Sequence, residues 1–468
     1  MKRLLAVACL SLAVAGLFAR LSAAAFTGST AIPSNAVTVD ALHNYFSVVP
    51  AGAVQPGTST SVASGNVDNL SLDFGTVPSA RTFTSVVRIT NVSSATRTAT
   101  LALSNVSQVS SVVFASNGSG SATLGPGAST TVTVTTSSTV AGRGSGSLRL
   151  SLSGVSWLYR DYSFHIDEAP EAPTAPTVAQ KPAGRLDLSW TASTTVTNLA
   201  GYDLYRSSGG AYTKLNATPL TGTTYSDTAT IDGTAYTYKL TSVSSGSPLL
   251  TSVDSTTVTA TADATAPGAP TTVALANGGG NGNVYVNAGN AAGLSISITL
   301  PAGSLTTDSV KLTVSNGGNS VITTRAGTSG PGTITVTGLN VAALGDGTLT
   351  LSANSTDLAG NVSATTTTTV TKDTVAPGAP TANYTDNNNA ADQIAGTAEA
   401  NASITVTETS PASATYPTTA NGSGAYSVLV ATVNGSHNTP VSVTYTVTAR
   451  DAAGNTSGTT TVTSNDTR

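Results

Sequence analysis

Apolar and polar positions alternate with a period of two in short runs along most of this chain. Leu186, Leu188 and Trp190 share one phase of a run, and Tyr236, Tyr238 and Leu240 share one phase of another. Ser85–Asn91, Thr131–Val134, Gly146–Leu150 and Gly347–Leu351 follow the same rule, with glycine- and proline-bearing turns between the runs. A two-residue period sends alternate side chains to opposite faces, so these runs are expected to be half-buried strands. The alternating partners are mostly Thr and Ser, which suit a strand's wet face. The pattern predicts an all-β chain.

A repeated proline stretch divides the pattern. Asp373–Thr381 matches Asp263–Thr271 at seven of nine positions, and Ala169–Pro176 is a looser relative. Proline lacks the backbone donor and fixes φ, so these stretches are read as extended, semi-rigid joints. Segments of about a hundred residues lie between them, the length of one domain. The expected organisation is a tandem array of four β-sandwiches after a signal peptide. Its boundaries are 1–25 (signal), 26–65 (a segment without a clear assignment), 66–168, 169–263, 264–373 and 374–468. In a line, four such modules have a radius of gyration near 40 Å, against about 22 Å for one globule of that length.

Charge narrows the partners. Only 9% of residues are charged and the net charge is -4, with Lys and Arg scattered singly. That leaves no electrostatic footprint for nucleic acid. Lys2 and Arg3, the apolar run Leu4–Ala19 and Ala23-Ala24-Ala25 form an export signal with cleavage before Phe26. The only cysteine, Cys9, lies in that signal, so the mature chain is expected to have no disulfide and no integral membrane segment.

Several segments resemble known families. Ser71–Pro78, Leu124–Ser129 and Gly146–Leu150 resemble the ASH-type Ig-like domain over about ninety residues. Residues 169–263 resemble a fibronectin type III domain, which implies that Tyr236 is the tyrosine of its corner, with Tyr238 and Leu240 buried. The last two segments share Asp-x-Ala-Gly-Asn-x-Ser, at Asp357–Ser363 and Asp451–Ser457. With the Asp-initiated joints, this resembles bacterial Ig-like repeats of adhesins and surface stalks. Phe26–Val39 looks like the start of camelysin-type, TasA-like matrix proteins.

Candidate chemistry is sparse. The three histidines, His43, His165 and His437, fall in different segments, and no histidine–carboxylate cluster is visible. Gly278–Asn283 is read as a flexible turn, since no helix follows to make it a phosphate cradle. Trp157, Tyr159, Tyr162 and Phe164 form the densest aromatic group; they are either a sugar-stacking platform or, as alternation of Val155, Trp157 and Tyr159 suggests, core. Lys239 and Lys311 alternate outward, against isopeptide cross-links. Calcium is the one ion to consider. A sandwich brings its last hairpin back to its first joint, so Asp357 and Asn361 should approach Asp263, and Asp451 and Asn455 should approach Asp373. Those oxygens supply part of a calcium shell, or else form plain Asx-turns.

The expectation is therefore a secreted, non-enzymatic adhesion or spacer protein, extracellular or at the cell surface. Its partner is expected to be an extracellular polysaccharide or protein ligand. The alternatives are an accessory polysaccharide-binding protein and a biofilm-matrix subunit.

Overall fold

The computed structural model describes residues 41–387, 390–431 and 439–467. The signal sequence, Cys9, the Phe26–Val39 stretch and His437 lie outside them. Among the described residues the regular elements are strands and three short 3-10 turns, Leu42–Asn44, Pro182–Gly184 and Asn281–Asn283. No helix among them is long and apolar enough to cross a membrane. The chain is all-β, built as tandem Ig-like and fibronectin-type sandwiches, and it groups into two units.

The first unit holds two sandwiches. In the first, a six-stranded sheet runs in the order Ala63–Ser64, Ser71–Val77, Tyr159–Glu168, Gly142–Leu152, Arg97–Ser104, Ser121–Leu124. Ser71–Val77 joins Tyr159–Glu168 in parallel, whereas the other neighbours are antiparallel. Facing it are Phe46–Pro50, Val87–Asn91, Ser129–Thr136, Thr82–Phe83 and Val109–Phe114. The inward phase of each strand meets in one core, where the Phe74 ring lies 4.9 Å from both Phe83 and Phe164. Burying such a phenyl ring is worth roughly 1.5–3 kcal/mol. Leu42, Phe46 and Val48 belong to this core, so residues 42–64 are part of the first sandwich rather than a segment apart. Their sequence hides this because Phe46–Pro50 is a short edge strand whose partner, Val87–Asn91, lies some forty residues on.

The second sandwich packs Thr174–Gln180, Leu186–Thr191 and Thr224–Asp227 on Thr213–Lys214, Leu199–Ser207, Ala235–Ser244 and Val258–Thr261. Its core is the alternation read from sequence: Leu186, Leu188 and Trp190 against Tyr202, Leu204, Tyr238 and Leu240. Tyr236 turns its hydroxyl back to accept the Ile231 N–H at 3.0 Å, closing the tyrosine corner.

The second unit comprises Lys181–Gly184 and the chain from Asp263 onward. It has two further cores, one centred on Ile296, Ile298, Leu312 and Leu351, the other on Ile404, Val406, Tyr445 and Val447. Each is a three-stranded sheet on a larger one, five-stranded in the first case and four-stranded in the second. Their outer strands show why the chain tolerates so few charges. In Thr366–Lys372 threonines fill the exposed phase, giving β-branched side chains whose hydroxyls keep water.

Candidate functional site

The repeated motif forms a hairpin turn tied by its own aspartate. Asp451 Oδ1 accepts the N–H groups of Gly454 at 2.6 Å and Asn455 at 2.8 Å. Gly454 and Gly360 sit at φ 93° and 92°, where a side chain would be strained, which is why the motif demands glycine there. Ser457 and Ser363 close the far end by accepting the N–H of Ala449 at 2.8 Å and of Ser355 at 2.9 Å.

The asparagine of each motif then reaches outward. Asn455 Nδ2 donates to the Asp451 carboxylate at 2.8 Å and to the Asp373 carbonyl at 2.9 Å, and its Oδ1 accepts the Ala288 N–H at 3.0 Å. Asn361 repeats each bond, donating to Asp357 at 2.9 Å and to the Asp263 carbonyl at 3.0 Å, and accepting the Ala183 N–H at 2.9 Å. Both asparagines are buried. Thr460 and Thr366 add matching bonds to the Pro380 and Pro270 carbonyls. One carboxamide thus ties its own turn, the joint and a third backbone segment, making a clasp.

All six residues singled out for calcium come together in two sets of three, Asp263 with Asp357 and Asn361, and Asp373 with Asp451 and Asn455. The joint aspartates enter through their backbone carbonyls. Their carboxylates accept the N–H two residues on, from Thr265 and Val375, both at 3.1 Å. Asp357 spends its oxygens on Asn361 N at 2.8 Å and Asn361 Nδ2 at 2.9 Å. The carboxylate oxygens of the motif therefore face N–H donors, and among the described residues no three acids, histidines or cysteines gather as a metal site.

Two parts of the joint escape a sequence reading. Gly278–Asn283 is not a free turn: Asn281 N–H donates to the Ala452 carbonyl at 3.1 Å, and Asn287 Nδ2 to Ala453 at 2.8 Å. At Gly280 (φ 72°) a Cβ would stand 2.3 Å from the Ala452 oxygen, so glycine permits the approach. Lys372, at the inward phase of its strand, is 3% exposed. It donates to the Leu344 carbonyl at 2.5 Å and to Asp346 at 3.0 Å, and Asp346 in turn accepts the Thr374 N–H at 2.9 Å. Burial opposes ionisation of Asp346, but the Thr374 donors and the Lys372 ammonium hold its carboxyl below the usual range. Only the alternation of Thr366–Lys372, continued to its last residue, signals that this lysine points inward.

Within the first unit the link between sandwiches is also hydrogen-bonded. Ala141 N–H donates to Thr197 at 3.1 Å, Asn198 Nδ2 to Ala141 at 2.9 Å, and Thr195 Oγ1 to Ser138 at 3.0 Å. Beside it, Glu168 is buried with neither carboxyl oxygen in a well-formed hydrogen bond among the described residues. Burial pushes its carboxyl up to about 8, against the pull of the Thr136 hydroxyl.

The aromatic group splits. Tyr162 and Phe164 are buried, whereas Trp157 is 61% exposed and Tyr159 38% exposed, which corrects their expected place in the core. The alternation failed here because Gly154–Trp157 is a turn, so the phase of Val155 does not carry into the strand that starts at Tyr159. Val155 alone of the three packs on the core. The outer face of that strand also carries the histidine–carboxylate cluster that the sequence concealed. His165 lies 3.0 Å from Asp73 and 3.5 Å from Asp167, which pairs in turn with Arg143 at 2.9 Å. The parallel pairing of strands ninety residues apart brings His165 and Asp73 together.

Comparison with known proteins gives local matches. A curated relative, an amylopullulanase of Thermoanaerobacterium saccharolyticum, is 35% identical over 92 residues, 19% of this chain; the chain spans 7% of that enzyme's length. Among solved structures, a Fn3-like protein from Clostridium thermocellum is 31% identical, covering 19% of this chain and 91% of that one, with a TM-score of 0.17. A tetra-tandem repeat from the extending region of a large adhesion protein is 20% identical, covering 83% and 96%, with a TM-score of 0.23. Residues 376–466, which carry Asp451 and Asn455, match the bacterial Ig domain family.

Proposed function

We propose that this chain is an extracellular spacer and adhesion protein of the bacterial surface, without catalytic chemistry of its own. The repeated asparagine clasp carries the reading. Two joints use the same three hydrogen bonds on the same motif, which fix each joint's backbone to the module that follows it. A spacer needs that property, because a joint's stiffness sets its reach. The bacterial Ig domain match and the likeness to an adhesion protein's extending region support it. The match to an amylopullulanase covers so little of that enzyme that it is read as a shared accessory module. Small-angle scattering of the monomer tests the proposal: a radius of gyration near 40 Å is expected, and a value near 22 Å would overturn it.

Calcium at the clasps is a second reading, favoured by the gathering of two aspartates and an asparagine at each joint. To bind the ion, Asp357 and Asp451 would surrender N–H partners and the asparagines would turn their oxygens inward. The affinity expected of an extracellular module is about 0.1–1 mM. Heat on calorimetric titration of calcium into the intact chain, lost on substitution of Asp451, is the result this reading requires.

A further inference from the structure

We propose that the outer face of the first sandwich's six-stranded sheet binds a neutral polysaccharide, with Trp157 and Tyr159 as the stacking surface. The proposal rests on the extracellular reading and adds a ligand class to it.

The chain has two tryptophans. Trp190 is 6% exposed and packs edge-on against Tyr202, while Trp157 stands 61% exposed in a turn. A lone exposed apolar residue needs no explanation, but Tyr159 is exposed two positions on, beside a groove of 480 Å³. Thr100, Arg149, Ser151, Gly154 and Tyr159 are among the residues that line it. The groove's lining thus joins one aromatic ring to hydroxyls and a guanidinium, and Trp157 stands exposed two residues before that ring in the chain.

Arg149 is held in place before any ligand arrives. Its guanidinium lies 3.8 Å from the centre of the Tyr159 ring and donates through Nε and Nη2 to both oxygens of Asp161, each at 2.7 Å. Such a fork loses little freedom on binding, and Nη1 lies outside both carboxylate bonds. The Arg149–Asp161 pair is neutral as a whole, so the groove does not select an anion. Beyond it, Ser151 and Thr100 share a hydrogen bond at 2.6 Å. A sugar ring offers an apolar C–H face and a rim of hydroxyls, the pairing that an aromatic flanked by hydroxyls and a fixed guanidinium recognises. The polar face continues along the strand through Asp161, Ser163 and His165, about 20 Å from Tyr159 at strand rise. That length suits a chain of sugars better than a monosaccharide. A cross-strand ion pair alone accounts for Arg149 and Asp161, but not for Trp157.

Affinity electrophoresis of the full chain through gels cast with glycogen, barley β-glucan or galactomannan tests this. Retardation in at least one gel is expected, weakened about tenfold in apparent Kd by Trp157→Ala. Trp157 is exposed, so that variant should melt with the parent; Tyr159→Ala provides a second reading of the same surface. Unchanged migration in all three gels overturns the proposal, and so does retardation that both variants retain. Scattering on the same sample reports the spacer reading separately, so either can fail alone.

Discussion

Replacing Asn455 by alanine removes three hydrogen bonds at a stroke: to the Asp373 carbonyl, to the Asp451 carboxylate and from the Ala288 N–H. Each contributes about 0.5–1.5 kcal/mol net. The side chain is only 6% exposed, so water replaces its partners poorly, and the joint loses about 2–4 kcal/mol. For a module of this size each kcal/mol moves the melting temperature by about 4–8 °C, so the transition involving the last module should fall by about 8–32 °C. Scanning calorimetry of the full chain reads this directly. Asn455→Asp discriminates further. It keeps an acceptor for Ala288 but turns an oxygen toward the Asp373 carbonyl and the Asp451 carboxylate, so it should destabilise at least as much as alanine. A calcium site would behave oppositely, since the new carboxylate adds a ligand and calcium near 1 mM would restore the transition. An alanine variant melting within about 2 °C of the parent would refute the clasp.

Three other predictions concern Glu168, Asp227 and Asp346. Glu168, raised to about 8 in the folded chain, holds a proton that the unfolded chain releases near the ordinary carboxyl value. Its contribution is therefore full below about pH 4.5 and lost as pH rises to about 8, at no more than about 1.4 kcal/mol per pH unit; Glu168→Gln should flatten that slope in pH-dependent melting. Asp227, 3% exposed, accepts from Arg206 at 2.8 Å and from Tyr238 at 2.8 Å. Asp227→Ala should cost the fibronectin-type sandwich about 3 kcal/mol by stranding the arginine, with Asp227→Asn costing less, as read by denaturant midpoint. Asp346, held low by Thr374 and Lys372, contributes stability that is present at neutral pH and lost as pH falls through its depressed value; Asp346→Asn should remove that acid dependence from the module it belongs to.

Local pattern carried the fold a long way. Two-residue alternation is a property of neighbours, so Leu186–Trp190 and Tyr236–Leu240 announced their strands and core faces without tertiary help. The Asp-x-Ala-Gly-Asn turn was equally legible, because aspartate, a glycine at positive φ and asparagine act on their own backbone. Alternation misled at Trp157, where a turn reset the phase before the strand began. It was silent about residues 42–64, whose partner strand comes from elsewhere in the chain.

What the sequence determined by itself, then, was an all-β, proline-jointed chain with its acids placed in turns. The tertiary structure decided what those turns touch. It set Asn361 and Asn455 against joint carbonyls and the N–H groups of distant backbone, seated the glycine stretch on Ala452, and drew Lys372 inward to Asp346. It also placed His165 between Asp73 and Asp167, set Arg149 over the Tyr159 ring and left Trp157 in solvent. Except at Arg149, the contacts among these join segments tens of residues apart in the chain. Period-two alternation specifies which face a side chain takes, but not which strand lies beside it.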